Sequence, residues 1–361
     1  MKDERLLHRV FGPAARRATL LALFAAGVPL HGVKITEYTV PTSSSGPYTI
    51  TSAYGVLVFT EFNANKIGFM TTAGFFQEKT IPQANTGPTG IALGPDNKVW
   101  FTEGTAGAVN TLDETGNFGT PVTGFSGPNQ IVGGADGRIW FTAQSGDKIE
   151  ALAAAQNAPA SQELVAGSGP LGITLSPGGE LFYVLDTANQ LCQCVPGAPG
   201  CGCFSVTPPL TPASGLRRIV TDRSGQHLWF TERTANKIGT AFSGTGGGLV
   251  EYTVPTASSA PLGITAGPDG NIWFTEQNGN KIGRITPAGV ITEYPIPTPG
   301  SGPTSICVGP DGNLYFTENS TSKIGKLEWL IRGDVTDDGL VNVADVFYLI
   351  NYLFAGGPAP K

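Results

Sequence analysis

The chain has 361 residues and a formal net charge of −6, with 50 glycines, 28 prolines and 40% hydrophobic residues. So much glycine and proline without a Gly-X-Y period excludes collagen, and the hydrophobic content excludes disorder, which leaves a turn-rich β protein. An acidic chain with no basic cluster in its body is a poor partner for nucleic acid or for an anionic membrane.

Residues 1–32 read as a signal peptide. Lys2, Arg5, Arg9, Arg16 and Arg17 make a basic start, and the apolar run 18–28 (ATLLALFAAGV) is too short to span a bilayer. Arg16-Arg17 hints at a twin-arginine signal, and cleavage is expected between Ala26 and Val33. The mature chain then carries −9, has no transmembrane segment, and is expected to be secreted, periplasmic or on the cell surface.

Residues 35–40 (ITEYTV) match the last strand of a repeat but have no repeat in front of them. The repeat itself is clearest at 262–295. A strand at 262–266 is followed by an Asp269-Gly270 turn and a second strand, Ile272-Trp273-Phe274-Thr275. Asn278-Gly279-Asn280 turns the chain into 281–286, and Pro287-Ala288-Gly289 turns it into 290–295. Ile272 and Phe274 point to one face and Trp273 to the other, so each small sheet needs cover on both sides. Copies of itself supply that cover.

The Trp-Phe-Thr-Glu tetrad recurs, whole or degraded, with its second aromatic at Phe59, Phe101, Phe141, Tyr183, Phe230, Phe274 and Phe316, spaced 40 to 47 residues apart. That period is the length of a four-stranded propeller blade. The fold class is therefore all-β: a seven-bladed β-propeller over 33–329. The seventh blade stops after its third strand, 323–329, and the N-terminal strand is expected to complete it and remove the open edges.

The first strand of each blade runs away from one face and the second returns to it. The residues after the opening proline or its equivalent should therefore ring the mouth: Tyr48, Thr89, Asn129, Leu171, Arg217, Leu262 and Thr304. Tyr48, Asn129 and Arg217 break the repeat and are the ligand candidates, against the alternative of a solvated rim. Glu61, Glu103, Glu232, Glu276 and Glu318 recur in most blades, which points to scaffold rather than site. Each is expected to meet turn amides or a nearby lysine, Lys66, Lys237, Lys281 or Lys323.

Four of the five cysteines lie in 191–204 (LCQCVPGAPGCGCF), the hairpin between the third and fourth strands of blade four. Cys192 with Cys203 and Cys194 with Cys201 fall symmetrically about the loop. Opposed residues of an antiparallel pair are close enough for a disulfide, and export favours that reading over a four-thiolate zinc site. Cys307 is expected to be a free, buried core residue.

After Trp329 the character changes, and 330–361 read as a calcium loop and helix. Asp334, Thr336, Asp338, Asn342 and Asp345 stand at loop positions 1, 3, 5, 9 and 12 that alternate oxygen ligands, the Leu340 carbonyl adds one more, and Gly339 at position 6 permits the sharp bend. The run 343–354 (VADVFYLINYLF) reads as a helix apolar nearly all round, which needs a partner. The competing reading is a polar turn before a helix.

Three motifs, GPDGNIWFTE (267–276), NKIGRI (280–285) and ITEYPIPT (291–298), make residues 35–329 resemble the streptogramin B lyase (virginiamycin B lyase) family. Residues 333–360 resemble one half of a type I dockerin, a calcium-loop module that docks into cohesins; one loop–helix repeat is present and not two. The lyase resemblance implies elimination from a cyclic depsipeptide, with a histidine base and a divalent metal, usually Mg2+. The family's histidines directly follow the proline of Pro-x-x-Ile in the last two blades, and here Leu262 and Thr304 stand there. Gly302 replaces the glutamate before the last such proline, Asn319 stands near a late acidic position, and Tyr48 keeps a family-like aromatic. The three histidines are His8, His31 and His227, none of them at that position. The resulting expectation is an exported ligand-binding or scaffold propeller with a calcium-binding docking tail. The alternative is a metal-dependent carbon–oxygen lyase.

Overall fold

The computed structural model describes residues 31–153, 159–163, 167–195, 201–204, 208–243 and 247–331. Residues 35–327 form one compact unit; of a second, made of the chain's two ends, only 31–34 and 328–331 are described. The expected leader, apart from its last two residues, and the calcium loop and helix lie outside the described residues.

The compact unit holds seven four-stranded antiparallel sheets in sequence order, the blades of a propeller. In blade six the strands are Pro261–Ala266, Ile272–Glu276, Lys281–Ile285 and Ile291–Pro295. The seventh blade is completed as expected: strand His31–Thr39 is hydrogen-bonded beside Lys323–Ile331, the third strand of that blade. Among the described residues no helix is long and apolar enough to cross a membrane.

The repeat's sequence explains the blade. In its first turn Asp269 accepts the indole N–H of Trp273 at 3.0 Å, and Asp96 does the same for Trp100 at 2.9 Å. The aspartate thus satisfies the one polar atom of a buried aromatic. Phe274 has no exposed surface and lies over Gly283 of the third strand, where a Cβ would come 2.1 Å from the ring. Only glycine allows that stacking, so Asn-Lys-Ile-Gly keeps its glycine in step with the tetrad's phenylalanine. Adjacent blades share their cores: Trp229 and Ile238 of blade five pack with Ile272, Phe274 and Ile285 of blade six. Ile50, Leu57 and Phe59 of blade one pack with Tyr315 and Ile324 of blade seven.

Polar contacts fasten the ring at two radii. Near the axis, the tetrad's threonine accepts a backbone N–H from its own first strand and donates to a carbonyl of the next blade. Thr231 accepts from Arg218 N at 3.1 Å and donates to Leu262 O at 2.9 Å. Further out, the asparagine before the lysine carries a positive φ and clamps the next connector. Asn280 donates to Ile296 O and Thr298 O and accepts from Ser301 N and Oγ.

The tetrad glutamates stand opposite the lysines but do not pair with them as the sequence suggested. Glu61, Glu103, Glu232, Glu276 and Glu318 have no exposed surface, and the lysines pair elsewhere. Lys66 binds Glu78, Lys237 binds Glu251, Lys281 binds Glu293 and Lys323 binds Glu37, at 2.7 to 3.2 Å. The chosen carboxylates lie on the fourth strands, where two further hydrogen bonds from a connector threonine reinforce each pair. The fourth-strand site is also the wetter one, so ionising it costs less.

Cys192 and Cys203 form a disulfide. Cys194, opposite Cys201 in the same register, is disulfide-bonded as well. Cys307 is the free cysteine among the described residues and is half-buried rather than fully buried.

Candidate functional site

Every first strand carries an irregularity just inside its opening residue. The register of blade three jumps between Pro128 and Ile131, and that of blade five between Leu216 and Ile219. Two residues per blade are thereby bulged out of the ladder, which re-aims their side chains. These are the mouth positions and the residues after them: Tyr48-Thr49, Thr89-Gly90, Asn129-Gln130, Leu171-Gly172, Arg217-Arg218, Leu262-Gly263 and Thr304-Ser305. The tetrad threonine of the same blade holds the bulge, as Thr60 does by accepting Thr49 N at 3.0 Å.

Tyr48, Asn129 and Arg217 line one cavity of about 280 Å³, together with Leu171 and Leu262. Their positions in sequence are far apart, and the ring brings them together. Thr89 and Thr304 do not line it. Thr304 is buried and donates to Tyr48 O at 2.8 Å, so its hydroxyl fastens blade seven to blade one. Tyr48 packs against Phe62, with ring centroids 6.2 Å apart.

Four lining residues were not among the mouth candidates read from the sequence: Arg218, Gln144, Arg233 and Gln277. Arg218 follows a mouth position, and the other three directly follow the end of a second strand. A signal existed, because the residue after the tetrad changes from blade to blade: Phe62, Gly104, Gln144, Asp186, Arg233, Gln277, Asn319. Positions that vary against a constant frame are where a site can be built.

Arg217 forms an ion pair with Asp186 at 2.7 Å, and Arg233 donates to Gln277 Oε1 at 2.9 Å. The Nη1 of Arg218 is closed to solvent and meets no hydrogen-bond partner. Burial holds the Arg218 guanidinium below its ordinary pKa, and the neighbouring Arg217 pushes the same way.

The cavity contains no imidazole and no carboxylate among its lining residues. His227 lies elsewhere, at the start of the second strand of blade five, with Nδ1 3.1 Å from Asp222 and its ring against Phe242. Among the described residues no group of three or more His, Cys, Asp or Glu side chains is gathered to hold a metal ion. Three guanidiniums and two leucines are the wrong donors for Mg2+, which takes oxygen ligands and favours carboxylates.

Comparison with known proteins agrees with this geometry at the level of the fold. No curated protein matches the chain by sequence. Among solved structures, a streptogramin B lyase superposes with a TM-score of 0.76 at 33% identity, covering 82% of this chain and 98% of that one. Virginiamycin B lyase from Staphylococcus aureus gives 0.76 at 31%, covering 83% and 100%. A catalytically inactive histidine-to-alanine variant of that lyase with quinupristin gives the same values. The model of the virginiamycin B lyase family matches residues 26–199 and 201–341. The chain belongs to the virginiamycin B lyase family.

Proposed function

We propose that this protein is an exported propeller that binds a small ligand at its mouth, or serves as a scaffold, and carries a calcium-binding dockerin-like tail for docking to a cohesin-like partner. The observation that carries the ligand reading is the axial cavity, where Tyr48, Asn129 and Arg217, the residues that break the repeat, meet. A pocket with a few convergent polar groups on a rigid frame is the default place for a small ligand. The tail reading rests on the ligand pattern at Asp334, Thr336, Asp338, Leu340, Asn342 and Asp345, and export on the leader.

The second reading is the family's reaction, elimination from a streptogramin B. Family membership favours it. The chemistry at the mouth opposes it, because proton abstraction needs a base titrating near the working pH within reach of the substrate. Leu262 has no titratable group, and the Thr304 hydroxyl is committed to Tyr48 O. One assay separates the two readings: incubation of the purified protein with Mg2+ and a streptogramin B, followed by mass spectrometry. The ligand-binding reading expects intact cyclic antibiotic, and linear product at a rate above the metal-only control overturns it.

A further inference from the structure

Three charged side chains line the axial cavity, and all three are arginines, Arg217, Arg218 and Arg233. They sit together in a chain whose net charge is −6. Arg217 is balanced by Asp186, and Arg233 leans on a neutral amide. Arg218 has no counter-charge: its Nη1 is buried and unpartnered. Gln130, beside Asn129 on blade three, holds a second buried donor without a partner, Nε2. Native structures seldom leave such donors unmet.

The frame around Arg218 is rigid. Its backbone N–H is bonded to Thr231 at 3.1 Å. The strand bearing it lies so close to blade four that a Cβ on Gly172 would fall 2.7 Å from Arg217 O and 2.8 Å from Arg218 Cα. The backbone that carries Arg218 is fixed this way, and its guanidinium is a planar fork of donors, the geometry that fits two oxygens of a carboxylate or a phosphate.

We propose that the axial cavity is an oxyanion site, in which Arg218 and Arg233 hold the carboxylate or phosphate group of a small anionic ligand and Tyr48 and Gln277 contact the rest of it. The proposal rests on the mouth being a ligand site and adds the ligand's charge. At about 280 Å³ the cavity suits a small organic acid or phosphate rather than a polymer.

The test is calorimetry on the full chain in Hepes–chloride buffer, with citrate in one arm and inorganic phosphate in the other. A thermal-shift screen of neutral sugars and amides runs alongside. At least one anion is expected to bind, with affinity that weakens as NaCl is added. Arg218→Gln should weaken it roughly 10- to 100-fold, and Arg233→Gln by a smaller factor. Without ligand, Arg218→Gln should melt no lower than the parent, because it removes an uncompensated charge. Binding of citrate alone assigns a carboxylate ligand, and binding of phosphate alone a phosphorylated one. The proposal is overturned if neither anion binds, or if both variants bind as the parent does. A neutral compound whose shift vanishes in Tyr48→Ala would then leave the mouth a ligand site without this charge. No binding of any kind would remove both ideas.

Discussion

Glu37 and Thr298 close the ring. They are 261 positions apart in sequence, and the carboxylate accepts the Thr298 backbone N–H at 2.9 Å and its hydroxyl at 2.8 Å. Lys323 completes the contact by donating to Glu37 at 3.2 Å and to the same hydroxyl at 2.5 Å. The same arrangement recurs as Glu78 with Thr42 and Lys66, and as Glu293 with Thr256 and Lys281. In those blades it pins a connector to its own blade; at Glu37 it holds the strand that joins the two ends of the propeller.

Losing that contact should therefore cost more than losing a copy of it. Glu37→Ala is expected to destabilise the protein by about 2 kcal/mol, from charge-assisted hydrogen bonds lost and half-buried partners left unmet. Removal of 35–40 should lower the melting temperature much further, since it exposes the edge of the third strand of blade seven, which that segment covers. Burial raises the Glu37 carboxyl, but the bonds from Thr298 and Lys323 outweigh it and hold the group below the usual 4.5. Its contribution is thus present above that value and lost as pH falls through the lowered one. An equal melting temperature for the truncated and full chains would place the seal elsewhere.

The tetrad glutamates behave in the opposite sense. Burial first, then the charge of Glu293, pushes the Glu276 carboxyl up to about 7 from the usual 4.5. Across that interval the folded chain binds more protons than the unfolded one, so this group's contribution falls as pH rises. Glu276→Gln should gain on the order of 1–2 kcal/mol over the parent at pH 8 and almost nothing at pH 5. Guanidinium melts at the two pH values give the difference directly; a gain of the same size at both would rule out titration as its cause.

The hairpin of blade four is stapled at Cys192–Cys203, with a sequence separation of 11. Cys192→Ser should cost about 2–3 kcal/mol, the loop-closure value for a short ring. Unreduced peptide mapping should return Cys192 with Cys203 and Cys194 with Cys201, and Cys307 alkylated without reduction. Four alkylated thiols in 191–204 would contradict this pairing.

In the tail, calcium is expected to bind at Asp334, Asp338 and Asp345, with Thr336, the Leu340 carbonyl and Asn342 supplying further oxygens. If the loop closes as that spacing implies, its three carboxylates would repel one another until a cation lay between them. Calorimetry on the full chain should show calcium heat that Asp334→Ala abolishes, with a gain in helicity on binding because a short helix is marginal alone. An unchanged titration in the variant means that the loop is an ordinary turn.

Much of this protein could be read locally. The tetrad, its turn residues and its spacing determine a four-stranded sheet, because alternation, the turn aspartate and the glycine under Phe274 all act within one repeat of 40 to 47 residues. Seven repeats with a spare strand at one end and a missing one at the other determine closure. The mouth candidates followed from strand direction alone. Local order could not choose the lysines' partners, since each lysine has a glutamate opposite it on the second strand, as Glu276 is to Lys281. The tertiary structure chose by burial, leaving the tetrad carboxylate dry and pairing the wetter one.

Nor could any repeat announce the cavity. Tyr48, Asn129, Arg218 and Arg233 come from blades one, three and five, and they meet only on the axis of the ring. An axis belongs to no single blade. The sequence determines what each blade presents to it, while the number of blades and the angle between them, set by packing across their shared cores, decide which of those groups face one another.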